Sequence, residues 1–105
     1  MAARPLPEPG PLPVITDVCG ANVTAGVGQT ITWQNHNTQT VVCTEDPPNQ
    51  RNWPLNVTSW PVPAASGSTP GTANTLVRSD AVSNALGYTF SRTVCTNGSG
   101  RIIIQ

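Results

Sequence analysis

Apolar and polar positions alternate in short runs along most of the chain, and no window sustains a helical repeat. The cleanest run is QTITWQN, residues 29–35. There Ile31 and Trp33 face one way, and Thr30, Thr32 and Gln34 the other, as on a half-buried strand. Further strands are predicted at VITDVC (14–19), TVVCT (40–44), TLVRS (75–79), YTFSRTVC (88–95) and RIIIQ (101–105). A short strand is expected around Val23, inside the turn-rich GANVTAG, and the polar HNTQ at 36–39 reads as a turn. DAVSNAL (80–86) fits either a strand or one helical turn capped by Ser79 or Asp80. TNGSG at 96–100 predicts a hairpin, because Asn97 and Gly98 both accept the positive φ of a tight turn.

Two segments break this pattern. Residues 1–13, MAARPLPEPGPLP, carry Pro5, Pro7, Pro9, Pro11 and Pro13. Each proline fixes its own φ and extends the residue before it, so a semi-rigid polyproline-like arm is expected, followed by one domain over 14–105. Residues 45–74 hold six of the eleven prolines and two Trp-Pro pairs, Trp53-Pro54 and Trp60-Pro61. This long connection has no obvious secondary structure apart from an expected edge strand near LNVTSW, and connections of that kind are often functional. Trp53 and Trp60 there offer large apolar faces on stiff backbone, which suits contact with another subunit, a protein partner or a sugar. The alternative is that they fold back as a lid over the domain.

Composition narrows the class. Thr and Val favour strands, with eleven prolines and nine glycines as punctuation, so the expected class is all-β with short strands. Charged residues make up 10% of the chain, against about 25% in an average domain. Five arginines balance five carboxylates, with no lysine. Nucleic acid is not an expected partner, because no basic patch draws a phosphate backbone. No apolar run is long enough to cross a membrane as a helix. The first residues also lack the apolar stretch of a secretory signal. The expected setting is extracellular, or the surface of a cell or virion.

Little in the residue types points to catalysis or cofactors, and none is expected. His36 is the only histidine and sits in a polar turn. With Cys43 and Cys95 it matches no closed metal motif, and no nucleophile motif accompanies it. Glu45-Asp46 reads as a solvated turn rather than a calcium loop. AGVGQT precedes a strand and lacks the lysine of a phosphate loop. Asn22, Asn56 and Asn97 each begin a glycosylation sequon, about as many as chance supplies. Three cysteines leave at least one without an internal partner. The expected bridge joins Cys43 to Cys95 and would constrain the unfolded chain by roughly 4 kcal/mol in an oxidising setting. Three buried, reduced thiols are the alternative.

GANVTAGVGQTITWQN (20–35) resembles the opening of a cupredoxin, and VCTNGSGRIII (94–104) is similar to the copper loop and last strand of that family. The resemblance implies a Greek-key β-sandwich of seven or eight strands. It would place copper ligands at Thr40 or Val41, at Cys95, near Gly98 and near Arg101. Only Cys95 is of a ligating type, so the implied relative is copperless, with Cys95 free to form a disulfide. The expected fold is therefore a single β-sandwich, cupredoxin-like or immunoglobulin-like, behind the proline arm. The expected function is non-catalytic: a surface, filament or capsid-decoration subunit, self-assembling or part of a larger assembly, held by the arm and the Trp-bearing loop. A copper or electron-transfer protein with an atypical site, and a carbohydrate-binding module using Trp53 and Trp60, are the alternatives.

Overall fold

The computed structural model describes residues 12–105. Every regular element among them is a strand: β1 (Val14–Asp17), β2 (Asn22–Ala25), β3 (Thr30–Asn35), β4 (Val41–Glu45), β5 (Ser59–Val62), β6 (Gly71–Leu76), β7 (Asn84–Arg92) and β8 (Ser99–Ile104). They form two mixed sheets, one of three strands in the order β1-β3-β6 and one of five in the order β2-β8-β7-β4-β5. β1 runs parallel to β3, and β2 parallel to β8; the other pairs are antiparallel. The expectation of an all-β fold holds. Pro5, Pro7, Pro9 and Pro11 of the expected arm lie outside the described residues. Leu12 and Pro13 are exposed, and the Leu12 carbonyl accepts a 2.6 Å hydrogen bond from Gln29 Nε2.

Alternation sets the core. On β3 the inward positions Ile31 and Trp33 are buried beside outward Thr30, Thr32 and Gln34. Val41 and Cys43 on β4, Phe90 and Arg92 on β7, and Ile102 and Ile104 on β8 face inward by the same rule. All five aromatic residues of the chain join one cluster between the sheets. Trp33 lies 5.3 Å from Trp60 and 5.6 Å from Phe90, and Trp53 lies 6.3 Å from both Trp60 and Tyr88, measured between ring centroids. Offset and edge contacts of this kind add roughly 0.5–1.5 kcal/mol per pair beyond the area buried.

The long connection is more ordered than its prolines suggest. β5 is an edge strand, as expected, but it begins at Ser59 and runs through Pro61. An edge strand tolerates proline where its missing N–H would face solvent. Its pattern alternates, so Trp60 and Val62 turn inward. β6 starts at Gly71, four residues before the expected TLVRS. A side chain at Gly71 would sit 1.9 Å from the Pro63 carbonyl oxygen, so only glycine lets β6 pass this close. DAVSNAL supplies the start of β7, followed by a bulge between Asn84 and Tyr88.

Strand β7 ends at Arg92, short of Cys95. β7 and β8 do form the expected hairpin, closed where Arg92 N–H donates to the Gly98 carbonyl at 2.9 Å. The left-handed residue of that loop is Val94, at φ 69°, rather than Asn97 or Gly98. A longer loop therefore replaces the expected two-residue turn.

Candidate functional site

Three loops meet at one end of the sandwich: β1–β2, β3–β4 and β7–β8. Two cross-links tie the first and last of these loops together. One is a disulfide. It joins Cys95 to Cys19, with Cα atoms 5.3 Å apart, and not to Cys43 as the sequence reading expected. The reason is parity and place. Cys43 is an inward residue of β4, opposite Trp60 and Arg92 and wholly buried, whereas Cys95 lies beyond the end of β7. The left-handed turn at Val94 directs the chain toward the β1–β2 loop instead. The bridge spans 76 residues and constrains the unfolded chain by roughly 4–5 kcal/mol in the loop-entropy model.

The second cross-link is Arg92, a buried cation among carbonyls. Its Nη1 donates to Val18 O at 2.9 Å and Gly20 O at 2.6 Å. Nε donates to Asn97 O at 2.8 Å, and Nη2 to Ser99 O at 3.0 Å. The guanidinium thus ties the same two loops as the disulfide. Burial pulls its pKa below the ordinary value, while the Cys43 and Asp17 groups pull the other way. Gly100 makes room for it: a side chain there would lie 2.9 Å from Arg92 Nη1 and 2.7 Å from the Phe90 ring. Burial also pushes the Cys43 thiol up to about 12, against the opposing charge of Arg92.

Asn35 organises the third loop. It is fully buried at the end of β3, and its Nδ2 donates to the carbonyls of Gln39, Val62 and Pro63. Its Oδ1 accepts from the backbone and side-chain N–H groups of Asn37 at 2.8 and 2.9 Å. Held this way, Asn37 Nδ2 also reaches Cys19 Sγ at 3.5 Å. A solvent-open groove of about 390 Å³ runs over the bridge, lined by both half-cystines together with Asp17, His36, Asn37 and Val94. Asp17 Oδ1 accepts from Cys19 N–H at 2.8 Å.

The positions that the family resemblance assigned to copper do not fit a metal. Cys95 has its sulfur in the disulfide, Val41 is an apolar core residue, Thr40 and Gly98 are exposed, and Arg101 donates to the Leu86 carbonyl. Among the described residues no three His, Cys, Asp or Glu side chains gather where they could hold a metal ion.

The expected contact residues Trp53 and Trp60 need correcting as well. They are 8% and 4% exposed, with their rings in the core cluster, so neither presents a face to a sugar or a partner. Trp53 Nε1 donates to the Val57 carbonyl at 2.7 Å, so the loop folds back as a lid. The alternation of Ser59 to Val62 was the signal for Trp60. An open cleft of about 600 Å³ beside this lid is lined by Glu45, Gln50, Asn56 and Arg78 among others. Glu45 there accepts from Gln50 N–H at 2.8 Å.

The chain matches no protein-family model, no curated protein and no solved structure.

Proposed function

We propose that this chain is a non-catalytic structural module that acts by contact, as a subunit of a self-associating assembly. The observation that carries the reading is the outer face of the three-stranded sheet. Ile15 is 62% exposed on β1 and Leu76 is 44% exposed on β6. Between them lie Thr30, Thr32 and Asn74, aligned by strand register as Ile15–Thr32–Asn74 and Thr30–Leu76. Thr32 Oγ1 donates to Asn74 Oδ1, so part of this polar surface is already satisfied. Among the described residues of these three strands the one charge on this face is Asp17, which sits at the end of β1 and accepts from Cys19 N–H. Faces depleted in charge can be covered without stripping water from ions, as in the centres of protein interfaces. The formal net charge is zero, so copies do not repel one another. A lysine placed mid-face by Thr32→Lys should disperse the assembly while leaving the fold intact.

The finer reading of the fold is a cupredoxin-like sandwich whose metal end has been given over to the Cys19–Cys95 bridge and Arg92. It is supported by the two resembling segments and by the eight strands in two mixed sheets. Copper titration should then produce no thiolate charge-transfer band. A band that disappears with Cys95→Ser would refute this reading.

A further inference from the structure

We infer that the Cys19–Cys95 bridge is a redox-active site that exchanges with an external dithiol, Cys95 being the sulfur attacked and Cys19 the sulfur that leaves. Four observations converge. Both half-cystines are only partly buried and line the groove, so a thiolate has a path to them. The two sulfurs are not equivalent. Asn37 Nδ2 donates to Cys19 Sγ at 3.5 Å, which favours negative charge there. Among the described residues no N–H donates to Cys95 Sγ; the Val18 carbonyl oxygen lies 3.9 Å from it and is already bonded to Arg92 Nη1. Val94, next to Cys95, holds a left-handed φ of 69° that a β-branched residue avoids, so the backbone beside the attacked sulfur is strained. Finally, Arg92 binds carbonyls of both bridged loops, so the end of the sandwich stays tethered once the disulfide is gone.

A thiolate of the dithiol attacks Cys95 Sγ, the Cys19–Cys95 bond breaks, and its electron pair leaves on Cys19, beside the Asn37 amide. The second thiolate of the dithiol then attacks the mixed disulfide. The dithiol departs as a cyclic or intramolecular disulfide, and Cys95 leaves as a thiolate that takes a proton from water. Two electrons pass from the dithiol to the protein.

The test uses folded full-length protein, reduced glutathione as a monothiol probe, and an early iodoacetamide quench that alkylates the freed cysteine and so traps the mixed disulfide for peptide mass mapping. Cys43 serves as an internal reporter, since it is wholly buried and is alkylated only if the chain opens. The expected result is glutathione on Cys95, the alkyl group on Cys19 and Cys43 unmodified. Asn37→Ala should slow the exchange roughly two- to tenfold, the worth of one hydrogen bond. Asp17→Asn, which removes a negative charge from the groove, should quicken it and serves if the Asn37 variant does not fold. Glutathione found mainly on Cys19, or Cys43 alkylated as fast as Cys19, overturns the inference.

Discussion

Trp33 and Trp60 face each other across the sandwich with ring centroids 5.3 Å apart, yet among the described residues only one of the two indoles has a partner for its N–H. Trp33 Nε1 donates to Thr75 Oγ1 at 2.9 Å; the buried Nε1 of Trp60 has no acceptor among the described residues. The two positions should respond differently to loss of the indole. Trp33→Phe removes volume and strands the Thr75 hydroxyl, at a cost of about 2–4 kcal/mol. Trp60→Phe removes volume but also an unsatisfied donor, so its cost should stay under about 1.5 kcal/mol. Urea unfolding of both variants at one temperature measures the difference.

The buried thiol of Cys43 makes stability depend on alkaline pH. In the unfolded chain it ionises near its ordinary value of 9.0, whereas in the folded chain it keeps its proton until about 12. Between those values the unfolded state binds fewer protons, so stability falls as pH rises, by up to roughly 1.4 kcal/mol per pH unit. Below pH 9 the contribution is fully present. Denaturation midpoints at successive pH values should show this decline, and Cys43→Ala should flatten it.

Much of the fold was legible in the residues. Two-residue alternation placed β3, because side-chain parity on a strand is a local property, and short β-rich runs placed β4, β8 and the second half of β7. The partner of Cys95 was not legible. It depends on which loops share an end of the sandwich, and three cysteines alone do not say. The strand position of Trp60 was masked by Pro61, since prolines mark loops in most settings but are tolerated on an edge strand such as β5; Trp53 lies in the loop before it, where local sequence left contact and lid both open. Arg92 gave a signal of parity only: alternation puts it on the face of Tyr88 and Phe90, but nothing local says that four backbone carbonyls converge there to hold the charge.

Arg92 should be hard to replace. Arg92→Ala leaves the carbonyls of Val18, Gly20, Asn97 and Ser99 without their donors, and a loss of about 3 kcal/mol or more is expected. Arg92→Lys keeps the charge but not the planar fork, so it should recover less than half of that loss. Thermal or denaturant unfolding of both variants decides it, and full recovery by lysine would show that charge alone is needed.

Val94 offers the opposite case. It is exposed, so its side chain contributes little packing, and its φ of 69° suits asparagine far better. Val94→Asn should raise stability by about 1 kcal/mol, read as a higher denaturation midpoint with an unchanged slope.

Sedimentation velocity over a wide range of protein concentration tests most directly whether copies of the chain associate through the outer face of the β1-β3-β6 sheet. Full-length protein should shift to larger species as concentration rises, and Thr32→Lys should remain monomeric over the same range. A wild-type chain that stays monomeric throughout, or a Thr32→Lys variant that associates equally well, would contradict association through this face.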